Sequence, residues 1–358
     1  MPEKVFVAMS GGVDSSVAAL LLKKQGYDVT GVTMQIWPLP IERDKTCCGL
    51  EAVSDARSVA WKLGIPHYVI NLRDEFEKSV VDYFCREYLK GRTPNPCVAC
   101  NRFIKFKTFL DRALAMGANY IATGHYARIK YNEGSNKYQL LMALHPGKDQ
   151  SYALYGMTQP QLQYTLFPLG DFGKTEVRAM ASQAGLEVAE KADSQEICFV
   201  ETRGYARFVE ERTGLMPQTG SIVDTRGRIL GLHAGIHNYT IGQRRGLGIT
   251  HASPLYVNNL KADTNTVVVG SESELYKNSL LADDVIYISG QTPINTLHIE
   301  AKFRYTAQPV AALLKPMESG QAVVEFKSPQ RALTPGQAVV FYQGQVVLGG
   351  GTISRILS

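Results

Sequence analysis

The stretch KVFVAMSGGVDSSVAALLLKKQG, residues 4–26, contains an apolar segment, a glycine loop and a second apolar segment in direct succession. KVFVAM (4–9) predicts a short buried strand, and DSSVAALLLKKQG (14–26) predicts a helix that ends at Gly26. Between them, the glycines of SGGVDSS (10–16) let backbone N–H groups approach a phosphate, and the helix N-terminus adds partial positive charge. The stretch therefore predicts a phosphate-binding loop between a strand and a helix.

The chain repeats this strand–helix alternation over its first 200 residues. Such alternation predicts a doubly wound α/β domain, with a parallel sheet covered by helices on both faces. The further predicted strands are 28–34, 66–72 and 119–124, and the further predicted helices are 51–64, 74–91 and 103–117.

The sequence pattern changes near residue 220, where β-branched residues occur in short runs such as TVVVG and QAVVFYQGQVVLGGG. Short strands with frequent turn signals are typical of small β domains and barrels, and FYQGQVVL predicts a hairpin that turns at Gln343-Gly344. We therefore predict three domains: a catalytic domain (1–205), a small central domain (206–272) and a C-terminal β-barrel (273–358).

Composition restricts the class of protein. The chain has 358 residues, of which 45% are hydrophobic and 20% charged, with a net charge of +5. No apolar run approaches the ~20 residues of a membrane span, and MPEKVFVAMSGG is unlike a signal peptide, so we expect a cytoplasmic protein without a membrane partner. In that compartment, six cysteines indicate thiols, metal ligands or catalytic groups rather than a disulfide framework.

The glycine loop is not a Walker loop, because the spacing GxxxxGK[ST] and its lysine are absent. SGGVDSS instead resembles the SGGxDS signature of the ATP pyrophosphatases. That resemblance implies cleavage of ATP between its α- and β-phosphates and adenylation of a carbonyl oxygen. Joining such an oxygen to AMP turns a poor leaving group into a good one.

Further motifs occur in order along nearly the whole chain: RTPNPCVACNRFIKFKTFL, ATGHYAR, GKDQSYALY, DSQEICFV, GQRRGLG, FRYTAQP and PGQAVVFY. Together they resemble the tRNA-specific 2-thiouridylase family, called MnmA in bacteria. The resemblance implies an adenylating domain, a central domain and a C-terminal barrel. It also implies ATP-dependent transfer of sulfur to C2 of the wobble uridine of certain tRNAs.

The resemblance assigns roles to single residues of this chain. Asp14 is implied in phosphate binding and in holding Mg²⁺. The positions that match ATP contacts are Ala8, Met9, Ser10, Gly11, Gly12, Val13, Asp14, Ser15, Met34 and Gly124. Asn95, Pro96 and Cys97 match the surroundings of a target base that is flipped out of the RNA. The positions that match tRNA contacts are His125, Lys148, Asp149, Gln150, Arg304, Tyr305 and Gln337, with Arg244 and Arg245 as further candidates for phosphate contact.

Two cysteines match the family's sulfur chemistry. Cys100 takes the place of the catalytic nucleophile, and Cys198 that of the persulfide carrier. The persulfide sulfur, or hydrosulfide freed from it, would attack the adenylated C2. Nearby Arg102 and Lys105 are expected to lower the pKa of a thiol.

The chain departs from the best-known members of the family at Cys97, where they carry Asp. Cys97, Cys100 and Cys198 are therefore also candidates for the ligands of a [4Fe–4S] cluster with an open iron. Persulfide relay and cluster-assisted transfer both remain open. A closed structural zinc site requires four ligands, and no fourth ligand is evident in the sequence. Cys47, Cys48 and Cys85 have no motif support, and Cys85 is expected in the core.

The implied partners are tRNAs that accept glutamate, glutamine and lysine, and a cysteine desulfurase or sulfur-relay protein as sulfur donor. We expect a monomer. Two alternatives are a different adenylating ligase with the same loop and a non-catalytic RNA-binding protein with a metal-stabilised fold. The first leaves Cys198 and the β-rich tail without a role, and the second predicts no pyrophosphate release from ATP and tRNA.

Overall fold

The computed structural model of the protein describes residues 1–37, 50–192, 197–200 and 204–357. Its α-helices are α1 (Val13–Lys24), α2 (Leu50–Leu63), α3 (Arg73–Phe76), α4 (Asp82–Leu89), α5 (Pro96–Ala99), α6 (Leu110–Ala115), α7 (Gln159–Gln163), α8 (Lys174–Gln183) and α9 (Tyr205–Thr213). Its strands are β1 (Lys4–Ala8), β2 (Asp28–Gln35), β3 (His67–Asn71), β4 (Tyr120–Ala122), β5 (Ala127–Asn132), β6 (Lys137–Met142), β7 (Thr165–Leu166), β8 (Gly220–Asp224), β9 (Ile229–His233), β10 (Tyr256–Lys261), β11 (Thr266–Gly270), β12 (Tyr276–Tyr287), β13 (Leu297–Lys302), β14 (Val310–Pro316), β15 (Ala322–Arg331), β16 (Ala338–Gln343) and β17 (Val346–Ile356).

The N-terminal part is built on a parallel sheet in the order β3-β2-β1-β4-β7. Val5 and Val7 of β1 are fully buried and pack in one cluster with Val17 and Leu22 of α1. The four residues of β1 that follow Lys4 are apolar and buried, as expected of a strand in the middle of such a sheet, between two layers of helices. The predicted doubly wound α/β domain is confirmed.

The helix that carries the CxxC pair begins earlier than expected. We predicted a turn up to residue 102 and a helix from 103, but α5 begins at Pro96 and continues through the π-helical segment Cys100–Phe109 into α6. Asn95 caps the helix and Pro96 occupies its first position, where a missing N–H costs nothing. The prolines that suggested a turn therefore mark a helix start.

The C-terminal part is a closed six-stranded barrel. Antiparallel pairing runs in the order β12-β15-β14-β13-β16-β17, and β12 also pairs with β17 to close the ring. The hairpin β5–β6 extends the same sheet through the pairing of β6 with β17, so two strands from the first 205 residues belong to it. The last hairpin turns at Gly344-Gln345, one residue later than expected, because Gln343 still pairs with Val346.

Between these parts lies a small four-stranded sheet in the order β10-β11-β8-β9. It has an apolar cluster of its own, which includes Ile222, Val257 and Val267. Arg244 and Arg245 are exposed in the loop that leads to β10. Among the described residues, no helix has both the length and the apolar character needed to cross a bilayer.

Candidate nucleotide and sulfur-transfer site

The glycine loop follows β1 and leads directly into α1, as the sequence predicts. Gly11 has φ +69°, and a Cβ there would lie 2.4 Å from the carbonyl oxygen of Ala52, so only glycine fits. The hydroxyls of Ser15 and Ser16 donate to the carbonyl oxygen of Gly12 at 3.1 and 2.9 Å. These bonds fix the loop around the N-terminal end of α1.

Gly124 is brought against this loop from the end of β4. A Cβ on Gly124 would lie 2.6 Å from the backbone nitrogen of Ser15 and 2.7 Å from the carbonyl carbon of Asp14. We expected Gly124 to give adenosine access to the backbone. The structure adds a separate requirement, because the segment after β4 packs directly on the start of α1.

Asp14 is held by Tyr126, which lies in the motif ATGHYAR but was given no role, and by Lys174, which lies outside the motifs. The Tyr126 hydroxyl donates to Asp14 Oδ1 at 2.6 Å, and Lys174 Nζ lies 2.8 and 2.9 Å from the two carboxylate oxygens. Tyr126 is fully buried, and the Lys174 side chain is 13% exposed. The loop thus has a lysine beside it that arrives from another part of the chain.

The two thiols of the CxxC pair differ in environment. Asn95 Oδ1 accepts hydrogen bonds from the backbone N–H groups of Cys97 at 3.1 Å and Val98 at 3.3 Å. Cys97 is exposed at the start of the helix, whereas Cys100, one turn further, is buried at the first position of the π-helical segment. π-Helical segments occur often at functional sites.

The barrel holds the turn in front of this helix. Thr93 donates its N–H to Pro335 O at 2.9 Å, and Gln337 Nε2 donates to Thr93 O at 2.9 Å. Gly336, at φ +92°, has no room for a side chain, because a Cβ would lie 2.8 Å from the nitrogen of Thr93. The barrel loop 335–337 therefore fixes the approach to Asn95 and Cys97.

The KDQ segment, residues 148–150, lies between the CxxC helix and the barrel. Asp149 is 4% exposed, and its carboxylate accepts from the N–H of Ala143 at 2.9 Å and the Ser151 hydroxyl at 2.8 Å. Gln150 Oε1 accepts from the N–H of Tyr126 at 3.0 Å. The side chains of Asp149 and Gln150 thus hold the segment in place, and Lys148 is left at its half-buried edge.

Tyr305 joins the pieces of the site. Its pKa is raised by burial and by the nearby charge of Asp149, while Lys148 acts in the opposite direction and Cys97 adds a smaller increase. Its ring lies 6.2 Å from that of Tyr152, which follows the KDQ segment closely in the chain. Beside it Arg304, whose pKa is lowered by burial and by the neighbouring Arg331, donates to the carbonyl oxygen of Ala332.

Lys302 lies beside Tyr305 and is a further residue of the site that the motifs did not indicate. It is 8% exposed, and its Nζ lies 5.8 Å from the ring centre of Tyr152 and 5.6 Å from that of Tyr305. Burial lowers its pKa, and the charge of Asp149 partly offsets that effect. A cation held between two aromatic faces is stabilised by their quadrupoles.

His125 is held as a neutral imidazole. Its ring packs against Phe106 and Phe167, and its Nδ1 lies 2.7 Å from the hydroxyl of Thr123. Burial, together with the positive charge of Lys105, places the pKa of His125 well below its usual 6.5. A contact with RNA at this position would therefore be a hydrogen bond or a stacking contact rather than a salt bridge.

Cys198 is half-buried and packs against the apolar cluster to which Cys100 belongs. The next residue, Phe199, contacts the rings of Phe76 and Phe84 at 5.6 and 5.2 Å. The π-helical segment that begins at Cys100 packs against the same helical stretch, which runs from α3 into α4. Both thiols thus lie on elements that share one core.

The structure also tests the predictions that Cys85 lies in the core and that Arg102 lowers the pKa of a nearby thiol. Cys85 is buried in the core as expected, and burial raises the pKa of its thiol to about 11. Arg102 forms an ion pair with Asp284 of the barrel, so much of its charge is neutralised there rather than directed at a thiol. Cys47 and Cys48 lie outside the described residues.

The two implied metal groups fit this arrangement to different degrees. Within the described ranges, which include Cys97, Cys100 and Cys198, no three His, Cys, Asp or Glu side chains are arranged to hold a metal. The three thiols therefore do not form a ligand set for a [4Fe–4S] cluster in this conformation. Asp14 contacts a lysine, so Mg²⁺ fits here as a companion of nucleotide phosphates rather than as an ion bound by the protein alone.

Comparisons with known proteins extend this geometry. A family model described as "tRNA methyl transferase HUP domain" matches residues 3–202. A protein of Acetivibrio thermocellus named tRNA-specific 2-thiouridylase MnmA is 55% identical over 355 residues, which cover 98% of this chain and 99% of that protein. This chain belongs to the tRNA-specific 2-thiouridylase family.

Other matches agree with this membership of the 2-thiouridylase family. A protein of the same name from Heliobacterium modesticaldum is 54% identical over 361 residues, which cover 100% of this chain and 94% of that protein. Models described as "tRNA methyl transferase PRC-barrel domain" and "Aminomethyltransferase beta-barrel domain" match residues 206–271 and 277–353. The fold seen here, with an α/β part, a small central sheet and a closed barrel, is thus the fold of a 2-thiouridylase.

Proposed function

We propose that this chain is an ATP-dependent tRNA-uridine 2-sulfurtransferase. Membership of the 2-thiouridylase family supports the reaction class, and one structural observation supports the site. Gln337 of the barrel donates to Thr93 O at 2.9 Å, at the turn before Asn95 and Cys97, and the ring of Tyr305 lies 6.2 Å from that of Tyr152, just after the KDQ segment. Three segments far apart in sequence thus meet beside the exposed end of the CxxC helix, where a uridine flipped out of the RNA would be bound.

In the first step the C2 oxygen of the uridine attacks the α-phosphorus of ATP. A new oxygen–phosphorus bond forms, the bond to the bridging oxygen breaks, and pyrophosphate leaves with the electron pair. The SGGVDSS loop with Met34 and Gly124 binds the nucleotide, and Asn95, Pro96 and Cys97 surround the base. Mg²⁺ would accompany the phosphates at Asp14 and supply charge neutralisation.

The second step transfers sulfur. A cysteine desulfurase or sulfur-relay protein loads a sulfur onto Cys198, and the terminal sulfur attacks C2 while AMP leaves with its oxygen. The Cys100 thiolate then attacks Cys198 Sγ and releases the thiolated uridine with the electron pair of the broken S–S bond. A Cys100–Cys198 disulfide remains, and a dithiol reductant must reduce it before the next cycle.

The RNA contacts are proposed at the surface that the barrel and the KDQ segment share. Lys148 and Tyr305 line that surface, the buried cation of Lys302 lies against the ring of Tyr305, and His125 and Gln337 are proposed as further RNA contacts. Asp149, Gln150 and Arg304 are bonded inward and are proposed to position this surface for RNA. The proposed substrates are tRNAs that accept glutamate, glutamine and lysine, bound by a monomer.

The test combines ATP, Mg²⁺, a sulfur source and unmodified tRNA of these three acceptors, and it measures 2-thiouridine by mass spectrometry. We expect Cys100→Ser and Cys198→Ser to abolish thiolation while ATP binding persists, since serine cannot carry or displace the sulfur. Cys85→Ala is the matched control and should keep activity, because Cys85 is a buried core residue.

Three outcomes would contradict parts of the proposal. Absence of 2-thiouridine with the wild-type protein on all three tRNAs would contradict the function. Full activity of Cys198→Ser would remove Cys198 from the relay. Iron in stoichiometric amounts in anaerobically purified protein, with activity that follows the iron content, would replace the persulfide relay by cluster-assisted transfer.

A further inference from the structure

The glycine loop lacks the lysine with which a Walker loop neutralises phosphate charge, and the structure places another lysine at the same loop. Lys174 Nζ lies 2.8 and 2.9 Å from the carboxylate oxygens of Asp14, in the first turn of α1. The two residues are 160 positions apart in the sequence. Lys174 lies outside all the sequence motifs of the family resemblance.

Packing makes the position of Lys174 a fixed property of the fold. Lys174 is the first residue of α8, and Glu176 accepts the N–H of Gly173 at 2.7 Å to cap that helix. Further along α8, Val177 and Ala181 are fully buried in one cluster with Val17 of α1. Because the two helices pack against each other, the start of α8 is held at the start of α1.

We propose that Lys174 is a further catalytic residue of the adenylation step, in which its ammonium contacts the β- and γ-phosphates of ATP and neutralises the pyrophosphate that leaves. This inference rests on the proposed function. Asp14 and Tyr126 are positioning residues, because they contact the ammonium or the carboxylate that holds it. Lys174 transfers no proton in this step, and the electron pair of the broken phosphorus–oxygen bond leaves with pyrophosphate.

The charges support this role. ATP and its leaving group concentrate negative charge on the two outer phosphates, and phosphoryl and nucleotidyl transfer depend on cations fixed at that place. The Lys174 side chain is 13% exposed, so its charge is screened less than that of a surface lysine. Asp14 is 31% exposed and keeps the ammonium at the loop in the absence of nucleotide.

The experiment compares Lys174→Met and Lys174→Arg with Lys315→Met in the full-length protein. Lys315 is a matched control, because it also forms an ion pair, with Glu325 at 2.6 Å, but lies on the barrel strands. Binding of ATP, pyrophosphate and AMP is measured by calorimetry, and pyrophosphate release is measured with unmodified tRNA. Thermal unfolding of each variant reports whether it is folded.

Lys174→Met should weaken binding of ATP and pyrophosphate by about tenfold to a hundredfold, the effect of a lost charge-assisted hydrogen bond, and slow pyrophosphate release. Its affinity for AMP should stay within about twofold, since AMP lacks the outer phosphates. Lys174→Arg should recover part of the loss, and Lys315→Met should match the wild type. A lysine with a purely structural role would not separate ATP from AMP in this way.

Equal losses for ATP and AMP, or no loss for either, would overturn the inference. If Lys174→Met does not fold, Lys174→Gln takes its place, and wild-type ATP affinity and pyrophosphate release of that uncharged variant would overturn the inference as well. Failure of the proposed function is distinguishable from these results: the wild-type protein would then bind ATP and release no tRNA-dependent pyrophosphate.

Discussion

The surroundings of a single side chain near the site, His125, link the stability of the protein to pH. The surrounding Phe106, Phe167 and Lys105 disfavour the imidazolium form, so the pKa of His125 lies well below 6.5 in the folded state. In the unfolded chain the same imidazole titrates near its ordinary value. Burial of this ring therefore couples folding to pH.

We predict that His125 makes the protein less stable as the pH falls below 6.5. The unfolded state then binds a proton that the folded state does not accept, so the free energy of unfolding decreases with falling pH. In His125→Gln this contribution is absent, and the stability difference between wild type and variant should shift in favour of the variant between pH 7.5 and pH 5.5. Urea denaturation at the two values measures it.

His67 and His233 also have lowered pKa values, but they are present in both proteins and cancel in the difference. His298→Gln, at an exposed position of the barrel, is the control. A stability difference between wild type and His125→Gln that is the same at both pH values would show that His125 is not held neutral by the fold.

At the scale of elements, the CxxC helix shows what the sequence could and could not predict. The alternation of strands and helices followed from hydrophobic period and was confirmed, because the sheet and its covering helices have distinct patterns. The start of the helix at Pro96 was missed although Asn95-Pro96 is a local start signal, since Pro94 and Pro96 together suggested a turn. The signal for a helix start was therefore present in the sequence, but the same prolines also fitted a turn.

We predict that Asn95 stabilises this helix start independently of any contact with RNA. Asn95→Ala removes the oxygen that accepts from Cys97 and Val98 and should cost about 1 kcal/mol of stability, whereas Asn95→Asp keeps an acceptor and should cost little. Denaturant unfolding measures both. Equal stability of the alanine variant and the wild type would contradict the cap.

The same pair of variants separates the two roles of Asn95. If its only role is the cap, thiolation by Asn95→Asp should equal that of the wild type. If the amide also contacts the target base, as proposed, Asn95→Asp should be as stable as the wild type but thiolate more slowly. Activity and stability are therefore measured on the same preparations.

At the scale of the whole molecule, the site depends on contacts between segments that are far apart in the chain. Lys174 meets Asp14, and Lys302 meets Tyr152, only because helices and barrel strands pack in one particular way. Motifs predicted Cys100, Asp14 and Tyr305, since these residues lie in recognisable local patterns. They could not predict Lys174 or Lys302, whose positions are set by packing over more than a hundred residues of separation.

The barrel loop 335–337 contacts the turn before Asn95 and Cys97, and Gly336 tests whether the proposed function depends on that contact. We predict that Gly336→Ala destabilises the protein and impairs thiolation, because its Cβ would lie 2.8 Å from the nitrogen of Thr93 and push away the turn before Asn95 and Cys97.

The matched control is Gly117→Ala. Gly117 has a similar positive φ, +82° against +92°, but nothing lies within 4 Å of its Cβ position. Both variants should lose about 1 kcal/mol for the left-handed backbone, and Gly336→Ala should lose about 1–3 kcal/mol more for the clash. Urea denaturation and 2-thiouridine formation are measured for both, and thiolation should fall only in Gly336→Ala. Equal stability losses and equal activities in the two variants would mean that the barrel loop does not position the catalytic turn.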